Sequence, residues 1–164
     1  MRKLTALILG SILLFSCNST SDLPTHINCD GLITDTLGTG DNARIYMPTA
    51  FTPNNDGLND ISRPWAFNVM SIVFTIYDEG NNVVYTSTQL NLGGWNPPVT
   101  ATSTKYYYKI QAVTMGNRRI GLCGDLNKLS CLPSGVLLNS FHFEDQLTLT
   151  GFSGPTNETL PNCP

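Results

Sequence analysis

Alternation with a period of two is the feature that most limits what this chain can become. In "TKYYYKIQAVT" (104–114), Tyr106, Tyr108, Ile110 and Ala112 fall on one side of an extended backbone, and Tyr107, Lys109, Gln111 and Val113 fall on the other. The second side mixes polar with apolar residues, as a half-solvated sheet face does. "FNVMSIVFTIYD" (67–78) is the strongest strand, rich in Val, Ile and Phe. "EGNN" turns it and "NNVVYTST" returns, which predicts an antiparallel hairpin. "RIYMPTAF" (44–51) reads as a first strand that Pro48 limits to an edge or a bulge. "RRIGLC", "GVLLNSFHF" and "EDQLTLTGF" complete the set, and there is neither an amphipathic helix of useful length nor an internal repeat. Short strands punctuated by Gly, Pro and Asn predict an all-β fold, an antiparallel immunoglobulin-like β-sandwich of about seven strands over residues 44–152.

The ends read differently. Arg2 and Lys3 precede an uncharged, mostly apolar run at 4–15, too short to span a bilayer comfortably and placed as a signal peptide is. "LLFSC" (13–17) resembles the lipobox of bacterial lipoproteins. That implies a signal at 1–16, lipid modification of Cys17 and an acyl-anchored, envelope-bound protein, with an ordinary secretory cut near Ser16 or Ser19 as the alternative. Residues 17–43, rich in Ser, Thr, Asp, Asn and Gly, are expected to form a flexible tether, and 153–164 a C-terminal tail. Losing Arg2 and Lys3 leaves seven basic against twelve acidic residues and moves the net charge from −3 to −5. The one basic pair beyond them, Arg118-Arg119, does not make a nucleic-acid surface.

Four cysteines follow Cys17: Cys29, Cys123, Cys131 and Cys163. In an oxidising compartment an even set implies disulfides, with three connectivities open. The favoured pairing joins Cys123 to Cys131 in a short local loop and Cys29 to Cys163 across the ends, each bridge contributing roughly 2–5 kcal/mol. No pair has CxxC spacing, and neither His26 nor His142 stands at a ligand spacing from a cysteine.

"MPTAFTPNNDGLND" (47–60) admits two readings. As a calcium loop, Thr52 is position 1, Asn54 position 3, Asp56 position 5 and Gly57 position 6; Leu58 offers its carbonyl at position 7 and Asp60 falls at position 9. Thr at position 1 and Arg63 at position 12 leave only two carboxylates, which implies weak binding, about 10⁻⁴–10⁻³ M. As a plain corner, Asp56-Gly57 supplies a positive φ, and Asn54 and Asn59 make Asx-turns. The expectation is the corner, with no cofactor; weak calcium is the alternative.

Elsewhere, His142 sits in "FHF" with no recognisable catalytic motif near it, so an enzyme is not expected. Trp65, Trp95, Tyr106, Tyr107 and Tyr108 suggest a sugar-stacking platform or, more commonly, packing.

The 47–60 stretch also resembles the opening of the gliding-motility-associated C-terminal domain of Bacteroidota, close to PnaFTPNgDGiND. It matches at Pro48, Ala50, Phe51, Thr52, Pro53, Asn54, Asp56, Gly57, Asn59 and Asp60. "FTIYDEGNNVVY", "GGW" (93–95), "TKYYYKI" and "QLTLTG" follow the family's later landmarks, with an insertion near 115–140. The resemblance implies a β-sandwich used as an export signal of the type IX secretion system, usually at the end of a very large protein. Here the domain is nearly the whole mature chain, and Glu79-Gly80-Asn81 replaces the family's Arg-Trp-Gly. An export tag without cargo has little use. The expected function is therefore a non-enzymatic outer-membrane lipoprotein whose domain binds another envelope protein, linked to gliding motility or type IX secretion. A residual sorting domain and an adhesin-like glycan binder are the alternatives.

Overall fold

The computed structural model describes residues 29–38 and 40–164. The signal at 1–16, Cys17 and the tether as far as residue 28, His26 included, lie outside the described residues. In chain order the strands are β1 (Arg44–Tyr46), β2 (Ala50–Phe51), β3 (Trp65–Phe67), β4 (Val69–Tyr77), β5 (Val83–Ser87), β6 (Thr104–Thr114), β7 (Arg119–Lys128), β8 (Leu147–Thr148) and β9 (Gly151–Phe152). Two 3-10 turns, Leu138–Ser140 and Glu144–Gln146, are the only helical elements among the described residues, so the fold is all-β.

One five-stranded sheet, ordered β2-β7-β6-β4-β5, dominates. The alternation in 104–114 places its residues as expected. Tyr108, Ile110 and Ala112 lie opposite Ile76, Phe74 and Ile72 on β4, and opposite Gly124, Leu122 and Ile120 on β7. Tyr108 fits because its cross-strand partner is glycine: a Cβ on Gly124 would stand 2.9 Å from Tyr108 Oη and 3.1 Å from the ring. Burial raises the Tyr108 phenol above its ordinary value, and the charge of Asp125 adds to the effect.

Two breaks pass the chain from a second layer into this sheet. Pro48 separates β1 from β2, and Asn68, at φ 56°, separates β3 from β4. β1 and β3 form an antiparallel ribbon with Ile45 opposite Ala66. Ala43, Ile45, Met47 and Ala66 pack in one cluster with Phe51, Phe74, Ile76, Ile110 and Leu126 of the sheet. Beyond Pro48 the chain keeps its direction and joins the free edge of β7, Ala50 opposite Asn127, as a parallel pair. The expectation of a wholly antiparallel arrangement is corrected there. At the other edge the β4–β5 hairpin turns through Asn81 at φ 62°, and the Asp78 carboxylate accepts the Asn82 amide at 2.8 Å. Those bonds from Asn82, side chain first, hold the Asp78 carboxyl below its ordinary value.

Three expectations along the second half are also corrected. The short strand candidate "RRIGLC" extends into β7, a ten-residue strand paired with β6 along its whole length. "GVLLNSFHF" is not a strand: it contains a 3-10 turn, and Phe143, fully buried, joins Ala50 and Leu129 in a second small core. "EDQLTLTGF" forms a 3-10 turn and the two-residue ribbon β8–β9, outside the main sheet.

The disulfides are Cys29–Cys123 and Cys131–Cys163, with Cα–Cα distances of 6.0 and 4.9 Å. The favoured Cys123–Cys131 loop fails for a geometric reason. Cys123 is mid-strand, and the five residues from it to the end of β7 already span about 17 Å at 3.3 Å per residue, against the roughly 6 Å a bridge tolerates.

Residues 29–36, expected to be tether, lie on the outer face of β6 and β7. Ile33 N donates to Gln111 Oε1 at 2.9 Å, and Gln111 Nε2 donates back to Ile33 O at 3.0 Å. Thr34 Oγ1 and Gly121 exchange two bonds, and the Asp35 carboxylate accepts Arg119 N, Nε and Nη2 at 2.8–3.0 Å. Gly121 admits the segment: a Cβ there would meet Leu32 Cβ at 2.7 Å and Ile33 N at 3.1 Å.

The hydrogen bonds from Arg119 depress the Asp35 carboxyl to about 2. A depressed folded-state pKa means the contribution is present above the unfolded value near 3.8 and is lost as pH falls toward 2. Thermal unfolding of wild type and Asp35→Asn should therefore differ at pH 5 and converge by pH 2. An equal gap at both pH values would contradict the ion pair.

Candidate functional site

The loop at 52–60 organises itself around its own carboxylates. Asp60 Oδ1 accepts the amides of Asn54 and Asn55 at 3.0 and 2.7 Å, and Oδ2 accepts that of Gly57 at 2.8 Å. Asp56 Oδ1 accepts Leu58 N at 2.8 Å, its Oδ2 accepts Asn54 Nδ2, and Asn54 Oδ1 accepts Asp56 N. Asn55, Gly57 and Asn59 take φ values of 65°, 89° and 53°, which Asn and Gly tolerate. Backbone N–H groups, rather than carbonyls, converge on Asp60. They form an anion-favouring nest that the chain fills with its own side chain. Thr52, Asn54, Asp56, Leu58 and Asp60 thus come together as a corner. As arranged, the Asp60 oxygens are turned to amides and Arg63, at position 12, pairs with Glu144. Among the described residues no group of three His, Cys, Asp or Glu side chains is placed to hold a metal ion.

The corner has a distant partner. Glu158, in the tail, is buried; its Oε2 accepts Thr52 Oγ1 at 2.5 Å and Asn59 Nδ2 at 3.2 Å. Asn59 Oδ1 accepts Asp145 N at 3.0 Å, so one buried amide joins the corner, the Glu144–Gln146 turn and the tail. The Cys131–Cys163 bridge and the Leu132 N to Pro161 O bond hold the rest of the tail.

Between this corner, β3 and the 144–149 segment opens a cleft of about 610 Å³, lined by Leu58, Asn59, Trp65, Phe67, Leu147 and Leu149 among others. β1–β3 pairing explains its floor. Ala66 and Ile45 face the core, so their neighbours Trp65 and Phe67 face away from it. The Arg63 guanidinium lies 4.8 Å from the Trp65 ring centroid and pairs with Glu144 at 2.5 Å. Trp65 Nε1 is buried without a hydrogen-bond partner, and Leu149 at the rim is 76% exposed.

The other candidates disperse. Tyr107 and Tyr108 are buried on opposite faces of β6, and Trp95 packs between Phe51 and Tyr106 at centroid distances of 5.7 and 4.7 Å, so the five aromatics do not form one platform. His142 stacks on Phe152 at 5.0 Å. Lys128 is buried, its ammonium donates to Thr100 Oγ1, and burial lowers it from its ordinary value. Sequence reasoning missed the cleft, whose walls are far apart in the chain, and missed Glu158, which sits in a stretch without periodicity. The one local signal for the cleft was the apolar-rich "ISRPWAF" directly after the corner.

No family model, no curated protein and no solved structure matches the chain.

Asp60→Ala should lower stability by about 1–3 kcal/mol, since it strips three amides of their acceptor, and the exposed Asp56→Ala should cost less. Urea denaturation measures both, and millimolar calcium should leave the melting temperature unchanged. A calcium-dependent rise that Asp60→Ala abolishes would show that the loop rearranges around a cation.

Proposed function

We propose that this chain is a non-enzymatic lipoprotein of the cell envelope, anchored through Cys17, whose β-domain binds another envelope protein. The anchor rests on "LLFSC" closing a short apolar segment behind two basic residues. We read the fold as immunoglobulin-like, because the run β7-β6-β4-β5 has the order of the G, F, C and C′ strands of a variable-type sandwich, with β1–β3 in place of the second sheet.

The observation that carries the binding reading is the cleft. Its floor is aromatic and aliphatic, and its rim charges are already matched: Glu144 by Arg63, Asp145 by Thr156 Oγ1 and the backbone and side chain of Asn157. Such a groove favours an apolar anchor side chain from a partner, with polar groups fixing orientation at the rim.

The density of the 48–60 pattern supports a second reading, a residual type IX sorting domain. A reporter fused to residues 29–164 would be exported through that system on this reading and retained on the first.

Leu149→Asp tests the cleft without touching the core. Crosslinked envelopes should yield a specific partner with wild type and several-fold less of it with Leu149→Asp, while Cys17→Ala should lose palmitate label and leave the membrane fraction. Equal recovery by wild type and Leu149→Asp, or no specific partner at all, would contradict the binding reading.

A further inference from the structure

The outer face of the main sheet is covered in halves. Residues 29–36 lie over β6 and β7, fixed by Cys29–Cys123, the Gln111–Ile33 exchange and the Asp35–Arg119 pair. The β4–β5 half carries exposed apolar side chains. Val73 is 47% exposed, Val83 58% and Val84 39%, and Ile33 at the edge of the covered half is 44% exposed. Val83 lies opposite Tyr77 on β4, and the Thr86 hydroxyl meets Thr75 two residues beyond Val84. These valines therefore share the face of Val73, Thr75 and Tyr77. Beside them Lys109 Nζ lies 5.8 Å from the Tyr77 ring centroid, an aromatic and a long cation of the kind that suits a lipid–water boundary.

We infer that this half-face rests on the bilayer and that the cleft points away from it. The inference depends on the lipid-anchor reading, and its geometric argument is one of reach. Cys29 stands twelve Cα steps after Cys17, and no conformation of twelve steps exceeds about 43 Å. A domain of this size has a radius of gyration of about 14 Å, hence a radius near 18 Å, and a link leaving one pole needs about 46 Å, a quarter turn and then one radius, to reach a plane that touches the opposite pole. The link is too short to pass round the molecule. Because Cys29 is bridged to the middle of β7, reach keeps the pole opposite the disulfide off the lipid, and among the remaining sides the exposed valines select the face that carries the disulfide. The apolar strip on β4 and β5 lies on that same face. Trp65, Phe67 and Leu149 lie on the far side of the β1–β3 ribbon, in the opposite layer, so a partner approaching from solution meets the cleft.

The test uses the full lipidated chain in phosphatidylcholine vesicles containing a headgroup-attached quencher. A fluorescent amino acid is placed at Val83 in one sample and at Leu149 in another, both exposed positions. The label at 83 should be quenched several-fold more than the label at 149, and Val73→Asp with Val84→Asp should bring the two together. Equal quenching in the unaltered face, or stronger quenching at 149, overturns the inference while leaving the anchor intact. A difference that the paired Asp substitutions leave unchanged shows that the link alone orients the domain, and overturns lipid contact by the valines. A chain that fails to stay with the vesicles overturns the anchor and the inference together.

Discussion

A single strand with both faces in use is what the molecule is built around. On one side of β6, Tyr108, Ile110 and Ala112 close the core against the β1–β3 ribbon. On the other, Tyr107 is 2% exposed and the Gln111 amide is satisfied by Ile33 and Ile120. An antiparallel sheet can leave one face to water. Here a segment from the N-terminal side is fastened over half of it, and polar groups on both chains are paired rather than stripped of solvent. Remove that cover and Gln111 keeps only its bond to Ile120, while the bonds of Gly121 to Thr34 and of Arg119 to Asp35 are lost.

The strands were legible where periodicity is strong and local. Residues 104–114 and the 69–87 hairpin follow directly from alternation, because each strand buries one face of its own residues. Pro48 was legible as a break, though not the parallel pairing beyond it, which depends on the edge that β7 leaves free. Only the first half of β7 was legible, as "RRIGLC", and its continuation to Lys128 was hidden. Gly121 and Gly124 dilute its apolar pattern, yet each glycine is there because something approaches closely, Leu32 and Ile33 in one case and the Tyr108 ring in the other. The disulfide pairing was misread for the same reason: a stretch taken for a loop is extended, and extension separates Cys123 from Cys131.

The 52–60 corner shows the limit of motif reading at a site. Oxygen-bearing residues at alternate positions look the same in sequence whether carbonyls or amides point inward. What decides is backbone direction, set by Asn55, Gly57 and Asn59 at positive φ, and it turns amides toward Asp60. The long-range member, Glu158, lies 99 residues from Asn59 and had no local signal. Yet it locks the corner to the tail and helps to form one wall of the cleft through Asn59. A sheet with one half-covered face and an apolar cleft on the opposite layer are what the structure itself provides, and the envelope-bound, partner-binding module proposed above is built on them.

The measurement that tests this arrangement most directly is disulfide mapping of the purified, non-reduced protein by proteolysis and mass spectrometry. Linkage of the peptide containing Cys29 to that containing Cys123, and of Cys131 to Cys163, is required if the N-terminal segment covers β6 and β7 and the tail closes on the corner. A Cys123–Cys131 or Cys29–Cys163 linkage would contradict it, since neither can form while β7 is extended and its outer face is covered.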